Sequence, residues 1–139
     1  MYLLDTNVIS ELRNKNPEPR VLEWMEATDE GLLYLSVLTL GEIRKGAALL
    51  LQDKRRTQLE TWLEVDLQAR FAGRIVPIDW AIADRWGLIA AEARRNGITV
   101  PVIDGLLAAT ALHRNLTIVS RNVKDFVTSQ VPVLNPWEA

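Results

Sequence analysis

Short apolar runs recur along this chain at Tyr2 to Leu4, Leu32 to Leu35, Ile75 to Ile78, Leu116 to Val119 and Val131 to Leu134, with long stretches of helical periodicity between most of them. Each run has the length of a strand buried on both faces, whereas the intervening stretches carry the 3.6-residue pattern. Ile82, Trp86, Ile89, Ala90 and Ala93 fall on one side of a helix that Asn96-Gly97 ends, and Leu59, Trp62, Leu63 and Leu67 make a similar stripe. Strands joined by connections this long pair in parallel through right-handed crossovers. The expected architecture is therefore α/β: a three-layer α/β/α sandwich around a mostly parallel central sheet of about five strands. With 139 residues, 48% of them hydrophobic, and no repeat or low-complexity block, the expectation is a single domain over residues 1–139.

In open parallel sheets ligands sit beyond the carboxyl ends of the strands, so the residues that follow each apolar run are the ones to inspect. Composition narrows the chemistry available there. The absence of cysteine excludes thiolate zinc sites, disulfides and thiol catalysis, and the single histidine, His113, excludes chemistry that needs two imidazoles. A net charge of −2 with interspersed charges means that any polyanion must find a local patch. No apolar run approaches the roughly 20 residues of a membrane span, and the N-terminus lacks a signal-like pattern, so a cytoplasmic protein is expected.

Asp5 follows the first run and precedes Thr6-Asn7 and an apolar helical pattern through Val8, Ile9 and Leu12; any of the three polar residues is also a competent helix cap. Glu42 follows the second run. Thr39-x-x-Glu42 matches a capping box, while Gly41 and Gly46 flank the carboxylate and permit close approach of a ligand or another helix. Asp104 stands after Val100-Pro101-Val102-Ile103 and before a helix expected over Gly105 to Leu112, a position that is also usual for an N-cap. Asp79 opens a helix in the same way and is read as a structural cap. After the fourth run come Ser120, Arg121, Asn122, Lys124 and Asp125, where Asn122-x-x-Asp125 is either a helix-start cap or a source of oxygen ligands for a hard cation, or both. Each residue alone has a structural explanation; together they gather carboxylates at one edge of the sheet.

In order and surroundings the segments Leu3-Leu-Asp5-Thr6-Asn7-Val-Ile-Ser, Gly41-Glu42-Ile-Arg-Lys-Gly46, Asp104-Gly-Leu-Leu-Ala-Ala-Thr-Ala and Ser120-Arg-Asn122-Val-Lys-Asp125-Phe resemble the PIN-domain ribonucleases, specifically the toxin subunits of VapBC- and FitAB-type toxin–antitoxin pairs. The resemblance spans the whole chain. It implies an acidic pocket for Mg²⁺, with Mn²⁺ as substitute, built from Asp5, Glu42 and Asp104. Many members carry a fourth acidic residue after the fourth strand, where this chain has Asn122, with Asp125 as the nearest replacement. It also implies a homodimer and a cognate antitoxin that occludes the pocket, in a higher hetero-oligomer that meets DNA only through the antitoxin.

The chemistry is consistent with those residue types. Two carboxylates about 4 Å apart repel by roughly 4 kcal/mol at an effective dielectric of 20, so a cluster of them calls for protons or a cation. Magnesium takes oxygen ligands and keeps several waters, which suits few carboxylates and no imidazole or thiolate. The expected activity is metal-dependent hydrolysis of RNA. Asp5 and Asp104 would be direct ligands, and Glu42 a further ligand or a general base. Thr6, Asn7, Ser120 and Asn122 would orient the site, and Arg44, Lys45, Arg121 and Lys124 would supply phosphate-binding cations. His113, late in its helix, is read as solvated, and Trp62 and Trp86 as core or dimer contacts. Other classes fit less well. A haloacid-dehalogenase-type phosphatase would need an acid where Asn7 stands, and a phosphoacceptor receiver would need an acidic pair for which Met1-Tyr2 leaves no room. A degenerate pocket in a DNA-binding repressor complex is the remaining alternative.

Overall fold

The computed structural model describes residues 1–138. Five parallel strands, β1 (Tyr2–Leu4), β2 (Leu33–Ser36), β3 (Ile75–Val76), β4 (Thr117–Val119) and β5 (Val133–Leu134), form one sheet in the order β3-β2-β1-β4-β5. All five apolar runs therefore contain a strand. β1 sits at the centre, paired with β2 on one side and β4 on the other, so the strand order reverses across β1, and beyond its carboxyl end is where a parallel sheet of this order places a ligand crevice.

Alternation along the strands sorts side chains to two faces. Leu4, Leu33, Leu35 and Val119 point into one core, where they pack against Val8 and Ile9 of α1 (Thr6–Glu11), Val21 and Met25 of α2 (Pro19–Ala27) and Ile43 of α3 (Val37–Leu49). Leu63, Phe71 and Leu67 of α5 (Leu67–Arg70) complete that layer, reached through α4 (Lys54–Thr61). Leu3 and Ile118 face the opposite way, onto Leu107, Ala108 and Ala111 of α7 (Val102–Arg114). Ile82 of α6 (Trp80–Arg95) and Ala109 of α7 cover Val76 beside them. Helices thus cover both faces, giving the three layers expected of buried parallel strands.

Local sequence explains most boundaries. The Asp79 carboxylate caps α6 by accepting the Ile82 N–H at 3.0 Å, as its position in the sequence suggests. At the other end Gly97 takes a left-handed conformation (φ 72°), and the N–H groups of Gly97 and Ile98 return to the carbonyls of Arg94 and Ala93. Two starts differ from expectation. α3 begins at Val37, directly after β2, because the Ser36 hydroxyl accepts the Leu38 N–H at 3.0 Å; Thr39 and Glu42 then lie inside the helix and form no capping box. α7 begins at Val102, because Pro101, with its fixed φ and no N–H, stands at the cap position; Asp104 therefore lies within the first turn and is not the cap.

Of the two approaches that Gly41 and Gly46 permit, by a ligand or by another helix, the second occurs at a different glycine. A Cβ at Gly41 or Gly46 would meet no atom within 4 Å, so no other helix of this chain packs there. At Gly105 the same Cβ would come within 2.8 Å of Trp86 Cδ1, so it is this glycine that allows α6 and α7 to pack closely.

Candidate functional site

The crevice beyond β1 is lined from residues that leave the strands. Asp5, the first residue after β1, donates its N–H to the Val119 carbonyl of β4 at 2.9 Å and is only 9% exposed. Its Oδ1 accepts the Thr6 N–H at 2.8 Å, so it caps α1 as well as facing the crevice. Its Oδ2 accepts the Ser120 hydroxyl at 2.8 Å and the Asn7 amide at 3.3 Å.

Ser120, the residue after β4, is fully buried and is a hub. Besides donating to Asp5, its oxygen accepts from the Asn7 side chain at 3.2 Å and from the Asn122 N–H at 3.0 Å. Asn7 Oδ1 in turn accepts the Arg121 N–H at 3.3 Å. The loops after β1 and β4 are thereby locked together, and the Asp5 rotamer is fixed from both sides.

Glu42 enters from α3. The Thr6 hydroxyl donates to Glu42 Oε1 at 2.6 Å and lies 3.3 Å from the buried Thr39 hydroxyl. The sequence motif suggests Thr39 only as half of a capping box; a threonine one turn before Glu42 on the same helix face is the signal that it supports the site instead. Asp104, half-buried on the first turn of α7, accepts no hydrogen bond among the described residues.

Electrostatics tie these groups together. Burial raises the Asp5 pKa above the ordinary aspartate value, against the hydrogen bonds from Ser120 and Thr6, and the charges of Glu42 and Asp125 raise it further. Asp104 is pushed up to about 6, first by burial and then by the charges of Asp125, Asp5 and Glu42. Four carboxylates from β1, α3, α7 and the loop after β4 thus share one anionic hollow. They do not yet converge as a chelate: among the described residues no three His, Asp or Glu side chains stand close enough to grip one ion. Every donor in the hollow is oxygen, and His113 is exposed in the last turn of α7, so a hard cation fits the donor set and a soft one does not.

The remaining candidates divide. Asn122 is exposed and reaches the network through its backbone N–H, with no side-chain cap on the short turn Val123–Phe126, whereas the Asp125 charge is felt by both Asp5 and Asp104. The Arg44 guanidinium is drawn toward α4 by ion pairs with Glu60 and Glu64 and is not a free cation of the rim. Lys45 is exposed and lines a groove beside Glu42 that reaches Ile103. Arg121 lies 5.4 Å over the Trp137 ring, and Lys124 is exposed. Trp86 packs against the core and Gly105, while Trp62 is half-buried, with the Arg13 guanidinium 4.8 Å over its ring.

Comparison with known proteins bears on the family and the fold. The PIN domain family profile matches residues 2–127. The chain is 40% identical over 137 residues to Toxin FitB of Neisseria gonorrhoeae, covering 99% of each protein. It is 36% identical over 138 residues to a VapC ribonuclease of Sinorhizobium fredii, again covering 99% of both. Among solved structures, that of FitAB bound to a DNA fragment superposes with a TM-score of 0.92 at 39% identity, covering 99% of this chain and 96% of that one.

Proposed function

The chain belongs to the PIN-domain family, in the group that holds FitB- and VapC-named proteins, and from that premise we propose that it is a Mg²⁺-dependent endoribonuclease acting as the toxin of a toxin–antitoxin pair. The observation that carries the reading is the gathering of Asp5, Glu42, Asp104 and Asp125 where the sheet reverses its strand order, near enough that the charges of Glu42 and Asp125 act on Asp5 and those of Asp125, Asp5 and Glu42 act on Asp104. In this reading residues 1–139 work as a single PIN-like domain on RNA in the cytoplasm.

Asp5 and Asp104 would hold the ion, with Glu42 as a further ligand and Mn²⁺ as a substitute for Mg²⁺. When bound, such an ion supplies Lewis acidity toward a phosphodiester and toward water. The chain supplies the rest. Ser120, Asn7 and the Thr6 N–H hold the Asp5 carboxylate in one orientation, so little ordering is left to do when substrate arrives. The Thr6 hydroxyl occupies one oxygen of Glu42 and leaves the other either to join the ion or, in the alternative role, to accept a proton from the attacking water. Asp125 fills the fourth corner as a carboxylate, and Asn122 positions the loop through Ser120. Lys45, Arg121 and Lys124 are the cations available to phosphate along the strand.

A cognate antitoxin would cover the pocket of a homodimer, within a larger complex that touches DNA through the antitoxin. A second reading, in which the chain is catalytically weak and serves mainly in a repressor complex, draws support for its DNA-bound complex alone from the FitAB relative solved on a DNA fragment. Incubation of the antitoxin-free protein with RNA separates the two. The nuclease reading predicts cutting that requires Mg²⁺ or Mn²⁺ and that falls about 100-fold or more in Asp5→Asn and Asp104→Asn, at or beyond the upper end of losses seen when metal-supporting groups are removed. Metal-independent cutting, or cutting unchanged in both variants, refutes it. No cutting by the parent under any of these conditions leaves the repressor reading.

A further inference from the structure

Resting on the nuclease reading above, we propose that the groove between α1, α3 and α4 is a subsite for one nucleotide of single-stranded RNA next to the scissile phosphate. Arg55 holds its phosphate, and the stacked Arg13–Trp62 pair is the platform for its base.

The groove encloses about 410 Å³ and shares Thr6 and Glu42 with the acidic hollow, so a strand with its phosphodiester at the carboxylates continues into it. That volume lies in the range of about 300–1,000 Å³ typical of sites for small ligands, room for a nucleotide and little for a longer segment. Ser10, Arg13, Arg55 and Trp62 line it further along.

Its two cations are set apart from the others nearby. Arg44 and Arg56 are tied to Glu60, whereas neither Arg13 nor Arg55 has a carboxylate partner among the described residues. Arg55 lies in the first turn of α4, whose N-terminus the Asp53 carboxylate already caps through the Arg56 N–H, and its exposed side chain lines the groove.

The Arg13 guanidinium lies 4.8 Å from the Trp62 ring centroid, and both residues line the groove. Bases of single-stranded RNA stack on such planes. Trp62 itself reaches the groove from a wider helical turn, Trp62–Asp66, where the Leu67 N–H bonds the Trp62 carbonyl five residues back. Such turns displace side chains from their regular positions on a helix.

The test measures binding of a fluorescein-labelled ten-nucleotide single-stranded RNA of mixed sequence by anisotropy. The full chain carries Asp104→Asn so that the RNA stays intact. Adding Arg13→Ala and Arg55→Ala should weaken binding at least about tenfold and lower the slope of log affinity against log salt by about 0.7, the increment for one phosphate no longer neutralised on a single strand. A control with the same change of charge, Arg94→Ala with Arg114→Ala, should leave both unchanged. In the otherwise unaltered protein the groove substitutions should also slow RNA cutting. If the parent cuts RNA with metal but the groove variants bind and cut as it does, the groove belongs to another occupant, such as a protein segment; the subsite is then overturned and the nuclease reading stands. If the parent neither binds nor cuts RNA, both fall.

Discussion

Ser120 shows how much of the site depends on a residue that carries no charge. Its hydroxyl is buried, donates to Asp5 and accepts from Asn7 and Asn122. Replacing it with alanine removes a bond that lowers the Asp5 pKa and leaves two donors unpaired. Ser120→Ala should raise the apparent pKa of Asp5, weaken Mg²⁺ binding about tenfold or more, and cost about 1–3 kcal/mol of stability. Calorimetric titration with Mg²⁺ and urea unfolding check the two effects separately. Asp5 is legible in the sequence because it directly follows a strand-like apolar run, and a strand that ends at the switch point leaves its next residue there, whereas Glu42 and Asp104 reach the site from within α3 and α7 and Asp125 from the turn after β4. The orientation of Arg44 is not legible, since its partners Glu60 and Glu64 lie on a segment whose placement against α3 is a tertiary fact. The cooperation of Thr6 with Glu42, 36 residues apart, has the same origin.

Among the helices, α6 and α7 depend on one small residue. Gly105 lies next to Asp104 and against Trp86, and a methyl group there would meet the indole at 2.8 Å and 3.0 Å. Gly105→Ala should therefore destabilise the fold by about 1–3 kcal/mol through overpacking. Because the displaced backbone carries Asp104, metal affinity should fall as well. Trp86→Phe in the same chain should recover part of the stability, and thermal unfolding of the two single variants and the double variant measures the coupling. The strands are readable as elements because buried parallel strands are continuous apolar runs, and α6 because its stripe and Asn96-Gly97 end are both local signals. The starts of α3 and α7 fall a few residues before the positions that Thr39 and Asp104 suggest, because a serine hydroxyl and a proline define them. Gly41 and Gly46 mark an open groove instead of a helix contact, a distinction that only packing makes.

For the molecule as a whole, gathering carboxylates costs stability that a cation would return. Asp104 titrates near 6 in the folded chain against an ordinary value of 3.8, so between those values the native state holds more protons than the unfolded state. Stability then declines as pH rises through that window, the opposite of the usual carboxylate in an ion pair. Glu30, held below its ordinary value by Arg70, works in the usual direction and loses its contribution as pH falls. Urea unfolding of the parent and Asp104→Asn from pH 4 to 7.5 isolates the difference: without divalent ions, the parent should lose stability relative to the variant as pH rises. Added Mg²⁺ should reverse this above pH 6 and act progressively less below it, as protons compete for Asp104. Calorimetric titration of Mn²⁺ at pH 7.5 into the parent, Asp5→Asn, Asp104→Asn and the double variant tests directly whether these distant segments build one cation site. Binding should weaken at least about tenfold in each single variant, with little further loss in the double, because residues that share an ion are not independent. Unchanged affinity in either single variant, or losses that add as for separate sites, would contradict the account.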